Sequence, residues 1–310
     1  MILQNILIGE MDMKHYESII IGHVTMDHDT DYQGNETFAI GGAVIYSSAS
    51  AYALGHKVAA VTKINPADKE RLTYFTVPKE DLYCIECESS CTLENQYFTA
   101  DKERRKCSWV SVGTPFTMAD IPEDIEADIY HFAGLLYGDF SNEMIKEASK
   151  LGKVAVDVQA LLRHPNMEDH SMYFEDWKDK MEMLPYIDFL KTDAAEAEIL
   201  TGLTDRYEAA KLLYSWGARE VIITHNTEVI VYDGKDFYAV PIRARNLSGR
   251  TGRGDTTFAA YMTERLTHSI KDSLLYATAT VSNKMEVPGP YKATRADVEK
   301  YIDEFYSDIK

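Results

Sequence analysis

The sequence predicts an α/β fold, a doubly wound and mostly parallel sheet with helices on both faces, accompanied by a small β lid. Three observations carry that expectation. Short apolar runs such as "SIIIGHV", "KVAVDV" and "EVIITH" read as strands buried on both faces, the pattern of a parallel sheet. Segments with apolar residues at helical spacing alternate with those runs, as repeated βα units require. Between about residues 72 and 112 the alternation stops, and short strand patterns with polar turns replace it.

Taken in order, the first strand runs from Ile19 to Val24 and ends in a turn with a carboxylate at Asp27. Gly41 and Gly42 begin a helix of small residues, Gly55 stops it, and "KVAAVTK" supplies the next strand, completing a βαβ unit. The segments "TYFTVP", "DLYCIECE", "CTLENQYFT" and "KCSWVSV" follow as the lid. From Ala127 the order is "DIYHFAG", a helix near 141–151, "KVAVDVQ", a helix across "FEDWKDKMEML", "YIDFLKT", and a helix through "AAEAEIL". After these come a helix near 206–216, "EVIITH", a hairpin turning at Asp233-Gly234, and three helices. Residues 16–71 and 113–310 are thus expected to form the α/β core, 72–112 the lid, and 1–15 an N-terminal extension. Ligands of such sheets gather beyond the carboxyl ends of the strands, where Asp27, Gln159, Asp193, Thr224 and the loop before Asp255 fall.

Composition narrows the function. Lys and Arg total 32 against 50 Asp and Glu, a formal net charge of −18, which disfavours nucleic acid and anionic membranes as partners. No apolar run approaches the roughly 20 residues of a membrane span, and Glu10 and Asp12 interrupt an apolar start that has no basic leader. A cytoplasmic protein acting on small molecules is expected. Cys84, Cys87, Cys91 and Cys107 share one segment whose spacing admits a zinc site, although strand alternation through Ile85-Glu86 favours reduced thiols.

The most informative stretch is "NLSGRTGRGDTTFAAYM", residues 246–262. Its Arg253-Gly254-Asp255 tripeptide matches an adhesion signal, yet the surroundings argue otherwise. Gly249, Gly252 and Gly254 punctuate a polar loop, and Phe258, Ala259, Tyr261, Met262 and Leu266 then recur at helical spacing. A glycine loop opening a helix is a phosphate seat, because the first helical N–H groups are unpaired and the macrodipole is positive there.

With the strand-borne carboxylate, the Gly-Gly helix start, the lid and the acidic block "KTDAAEAEILTG", this order resembles the ribokinase-like (PfkB) family of carbohydrate kinases, and in "DVQALLR" and "GRTGRGDT" its inositol-kinase-like branch. The family motif D-T-T-G-A-G-D aligns at Thr251, Gly252, Gly254 and Asp255. The resemblance implies Asp255 as catalytic base and the amides of Gly252, Arg253 and Gly254 as an anion hole. It implies Asp193 and Glu196 near Mg²⁺, with Asp193 where Asn is usual, and Thr224, Asn226 and Asn283 around a nucleotide. On the substrate side it implies Asp27, Gly41, Gly42, Tyr46, Gln159 and Arg163. The departures are Tyr46 for a common Asn, Arg253 for Ala, Gly249 for Asp, and Asn226 and Val229 for two glycines. The function implied is an ATP- and Mg²⁺-dependent kinase acting on a hydroxyl of a small sugar, cyclitol or nucleoside, with a homodimer formed through the lid. The alternative is a binding protein of the same fold with weakened catalysis.

Overall fold

A computed structural model describes residues 13–99 and 104–309. The chain runs through β1 (Lys14–Ile21), β2 (Thr25–Thr30), β3 (Glu36–Gly41), α1 (Ala43–Ala53), β4 (Val58–Ile64), β5 (Leu82–Glu86), β6 (Thr92–Tyr97) and β7 (Arg105–Ser111). It continues through β8 (Ile125–Phe132), α2 (Asn142–Ala148), β9 (Lys153–Asp157), α3 (Gln159–Leu162), β10 (Arg163–Pro165), β11 (Met172–Phe174), α4 (Lys180–Met183), β12 (Phe189–Asp193), α5 (Ala194–Thr201) and α6 (Arg206–Ser215). The last elements are β13 (Glu220–Thr224), β14 (Glu228–Tyr232), β15 (Phe237–Pro241), α7 (Arg253–Glu264), α8 (Ile270–Lys284) and α9 (Arg295–Phe305).

The central sheet has nine strands in the order β15-β14-β13-β12-β9-β8-β1-β4-β5. It is parallel from β13 to β5, and the β14–β15 hairpin closes one edge antiparallel. Side chains alternate across each strand, so adjacent isoleucines serve opposite layers. Ile20, Ala60, Ala155 and Ile222 pack under α1, α7, α8 and α9. Ile19, Ile21, Val61, Val154 and Val156 pack against α2, α5 and α6. This double burial is why the strand runs are apolar throughout.

Three expectations change. The 72–112 segment divides: β5 extends the central sheet beside β4, and only β6 and β7 enter the small sheet. That sheet has the order β3-β2-β6-β7, so half of it comes from residues 25–41, and Asp27 lies within β2 rather than at the end of a core strand. The helix expected across 174–184 shrinks to α4, because β10 and β11 form a hairpin and Pro185 stands in the next turn. The expected extension 1–15 lies almost wholly outside the described residues, and its last two residues begin β1. Among the described residues no helix is long and apolar enough to cross a membrane, and the four cysteines are free thiols outside any metal-binding cluster.

The far end of α7 is pinned by charge. Glu264 is fully buried, accepts from both terminal nitrogens of Arg295 at 2.6 and 3.1 Å, and meets His56 Nε2 at 2.9 Å. His56 Nδ1 reaches Glu17 at 2.9 Å. Burial works to lower the imidazole pKa, but the hydrogen bonds to Glu17 and Glu264 outweigh it and raise it to about 9. Neutralising Glu264 leaves the buried His56 with Glu17 as its one anionic partner and takes the bidentate partner from Arg295, so Glu264→Gln is expected to lower unfolding stability by about 3 kcal/mol in urea titrations near neutrality. The His56 contribution is full below the unfolded value of about 6.5 and fades as pH rises through about 9, so the gap between the two proteins narrows at high pH.

Candidate active site

A cleft of about 740 Å³ opens between the small sheet and the carboxyl ends of the central strands. Asp157, Asp193 and Thr224, the last residues of β9, β12 and β13, lie on its floor, and β6 and β7 form the opposite wall through Asn95, Tyr97, Arg105 and Cys107. The location follows from topology, since a parallel sheet collects its loops and helix N-termini at this edge.

The 249–255 loop forms one end. Gly252 has φ 77°, and a Cβ there would fall 2.2 Å from the Tyr46 ring. Glycine is therefore required twice, for conformation and for space. No side chain caps α7. Thr256 N–H already donates to Gly252 O at 2.9 Å, and Arg253 N–H turns back to Arg250 O at 3.2 Å. Among the described residues the amides of Gly252, Gly254 and Asp255 have no protein acceptor, whereas that of Arg253, one of the expected trio, is turned to Arg250. They lie at the positive end of the helix dipole, where an anion is stabilised.

Behind this loop sits a charge cluster that the sequence reading missed. Lys191 Nζ is 2.8 Å from Asp157 Oδ2 and 3.7 Å from Glu196 Oε2. The same ammonium would lie 3.0 Å from a Cβ placed on Gly254, so that glycine makes room for it. Burial alone would lower the Lys191 pKa, but Asp157, Glu196, Asp193 and Asp255 together raise it. Burial, with Asp157 adding to it, pushes Asp255 up to about 6 against the pull of Lys191, Lys284 and Arg163. Both Asp157 and Lys191 interrupt apolar strand runs close to their carboxyl ends, the one sequence signal that could have exposed them.

Across the cleft, Asp27 accepts a 2.5 Å hydrogen bond from Thr25 Oγ1. Burial raises its pKa to about 6, with Thr25, Arg163 and Arg105 opposing. Arg163 is buried, and its Nε donates to Leu135 O at 2.8 Å, while Gln159 lines the same floor. Gly41 and Gly42 line the cleft, but their missing side chains serve packing: a Cβ on Gly41 would strike Thr25 and the Asp27 carboxylate, and one on Gly42 the His23 carbonyl. Tyr46 also lines it, with its hydroxyl donating to Ile40 O at 3.0 Å and its ring beneath Gly252. Its phenol is thus committed to the fold.

Asp193 and Glu196 form a reciprocal cap on α5: Glu196 N–H donates to Asp193 Oδ1 at 2.8 Å, and Asp193 N–H to Glu196 Oε2 at 2.7 Å. Both residues line the cleft, and each has a second carboxylate oxygen outside the capping bonds, a hard donor of the kind Mg²⁺ takes together with water and phosphate. Burial raises Glu196 to about 8 against the attraction of Lys191, a penalty that a divalent cation would reverse. Of the residues expected around a nucleotide, Thr224 lines the cleft, whereas Asn226 and Asn283 do not. Asn226 is exposed in the β13–β14 turn, and Asn283 accepts from Tyr291 Oη at 3.3 Å.

A glycine loop opening a helix over a buried carboxylate, at the carboxyl edge of a parallel sheet under a β lid, defines a phosphotransferase acting on a hydroxyl group. The chain belongs to the pfkB family carbohydrate kinases, whose model matches residues 4–296. Among solved structures it is similar to a pyrophosphate-dependent kinase in the ribokinase family complexed with a pyrophosphate analog and myo-inositol, at 32% identity and TM-score 0.81, covering 91% of this chain and 99% of that one. The ribokinase of Arabidopsis thaliana, complexed with ribose and ATP, is 16% identical with TM-score 0.72 over 93% of this chain and 99% of its own, and shares the fold. Among characterised proteins, the cytidine kinase of Thermococcus kodakarensis is 26% identical over 252 residues, 79% of this chain and 86% of that protein.

Gly252→Ala puts a Cβ into the Tyr46 ring at positive φ, so it is expected to cost roughly 1–3 kcal/mol of stability and to weaken binding of inorganic phosphate or sulfate. Thermal unfolding and calorimetric anion titration check the two effects separately.

Proposed function

We propose that the chain phosphorylates a hydroxyl of a cyclitol, with Asp255 as the base that accepts the hydroxyl proton. The observation that carries this reading is that Asp255, in the first turn of α7, lines one cleft with the glycine loop, Asp27 and Arg163. Asp27, as carboxylate, and Arg163 would fix the ring hydroxyls of the acceptor. As the acceptor oxygen forms its bond to the terminal phosphorus, the bridging P–O bond breaks, the released phosphate carries away the electron pair, and the proton passes to Asp255. The amides of Gly252, Gly254 and Asp255 would take up the charge on the transferring group. The second oxygens of Asp193 and Glu196 would hold Mg²⁺, which supplies charge neutralisation on the donor.

The family resemblance suggests ATP as donor, but two observations favour pyrophosphate. Asn226 and Asn283 lie outside the cleft, leaving the expected adenine contacts unsupported, while Arg250 and Arg253 both line it beside the glycine loop. Guanidinium groups match the oxygens of an inorganic polyphosphate. The similarity to a pyrophosphate-dependent kinase supports the same donor. Phosphorylation of myo-inositol, cytidine and ribose, measured with Mg²⁺ and either ATP or pyrophosphate, tests both assignments. Turnover of inositol with pyrophosphate is expected to exceed every other pairing; faster turnover with ATP, or of cytidine, would overturn the donor or the acceptor assignment respectively.

Asp255→Asn is expected to lower kcat by at least about a hundredfold while donor binding persists. Because the carboxylate is the working form and its pKa is raised to about 6, wild-type kcat is expected to fall as pH drops through about 6.

The lid supports a homodimer as well. Among the described residues the outer edge of β3 pairs with no further strand, and Phe38 on it is 72% exposed. An open edge with an apolar side chain is satisfied by a second copy. Sedimentation is expected to show a dimer at micromolar concentration, and Phe38→Lys a shift toward monomer.

A further inference from the structure

Lys284, the last residue of α8, is 1% exposed. Its ammonium donates to Gly249 O at 2.6 Å and to Thr251 O, and lies 4.8 Å from the centre of the Tyr46 ring. Among the described residues no carboxylate lies within ion-pair distance of it. A buried cation held by carbonyl dipoles and a ring face is costly. Burial lowers its pKa to about 8, offset only in part by the more distant Asp255.

The contact with Thr251 has a geometric consequence. A trans peptide unit is planar, and its C=O and N–H point in opposite directions. The Thr251 carbonyl and the Gly252 N–H belong to one such unit, and the structure has no cis peptide bonds. Drawing the carbonyl toward Lys284 therefore turns the Gly252 N–H the other way, and Gly252 lines the cleft whereas Lys284 is not among its lining residues. The same holds one turn earlier, where the bond to Gly249 O orients the N–H of Arg250. Gly249 itself is held from the other side, its N–H donating to Met285 O at 2.7 Å.

Resting on the phosphotransfer reading of this cleft, we propose that Lys284 is the internal cation of the anion-binding loop, a positioning residue that turns the Gly252 amide toward the donor phosphate and lends it positive charge without touching substrate. A partner for the uncompensated ammonium then arrives with the donor anion.

The test reads anion binding rather than turnover. Calorimetric titration with sulfate, which does not change protonation over the range used, compares wild type with Lys284→Met, and wild type at pH 7 with wild type at pH 9.5. The titratable groups facing Lys284 are Asp255 from α7, raised only to about 6, and Tyr46 from α1, whose phenol burial raises above its usual range. Glu286, just beyond the end of α8, is held below the carboxylate range by Arg245 despite its burial. Among these only Lys284 changes charge between the two pH values; elsewhere in the same cleft Glu196, raised to about 8, does so as well, so the Lys284 share is the part of the pH response that Lys284→Met loses. Sulfate affinity is expected to fall at least about fivefold in wild type as pH rises, and at least about tenfold at pH 7 in Lys284→Met, as loss of a charge-assisted contact implies. A folded Lys284→Met with wild-type affinity, or a wild-type affinity flat across this range, overturns the proposal and leaves the kinase reading standing. A Lys284 effect in a protein that turns over no acceptor sinks the kinase reading alone. Should Lys284→Met not fold, Lys284→Gln takes its place in the same titration, with the same outcomes.

Discussion

The ion pair between Lys191 and Asp157 is the interaction on which the site depends. Three carboxylates besides Asp157 stand around it: Asp193, Glu196 and Asp255 all act on the Lys191 ammonium. Four like charges at the edge of an apolar sheet would otherwise repel one another and resist ionisation, because burial penalises the charged form of each. One buried ammonium, 2.8 Å from Asp157 and close under Gly254, offsets part of that repulsion. The pair is weak as a source of stability, since desolvation offsets much of its attraction; its value lies in the potential it sets in the cleft.

The helix that bears Asp255 is held with corresponding rigidity. Its far end is fixed by Glu264 to His56 and Arg295, on the β4 side and on α9. Near the same end, Tyr261 Oη donates to Glu220 Oε2 at 2.5 Å, and Arg265 reaches the same carboxylate. At the near end Tyr46 fills the space beneath Gly252, and Lys284 binds the loop carbonyls. Phosphoryl transfer asks a protein mainly for placement and charge. Here the buried charges are spent on placement of a single helix terminus.

The wall formed by the small sheet is built differently. Asn95 donates to Asp29 Oδ1 at 2.8 Å and accepts from Cys107 Sγ at 2.7 Å, so the side chains facing the cleft from β6 are tied across three strands of the small sheet. The two walls of the cleft therefore belong to separate sheets. The small-sheet wall can vary in sequence while the glycine loop and its charge cluster stay as they are.

The residues alone determined the βα alternation, the glycine loop before Asp255 and the reciprocal acidic start of α5, because each rests on short-range rules: strand and helix periodicity, positive φ at glycine, and capping at a helix terminus. Gln159, Asp193, Thr224 and the loop before Asp255 could be expected at one cleft since carboxyl ends of parallel strands collect ligands, and the family resemblance added Asp27, Glu196 and Arg163, which line the same cleft. Tertiary structure decided the rest. The Lys191–Asp157 pair joins residues 34 positions apart, and Lys284 meets Gly249 and Thr251 from another helix. The small sheet draws β2 and β3 from before α1, and β5 leaves it for the central sheet. Tyr46 became a support for Gly252 rather than a free phenol, and Asn226 and Asn283 fell outside the cleft. None of these has a local signature, because the free energy of a buried charge or a committed hydroxyl depends on which distant group fills the space beside it.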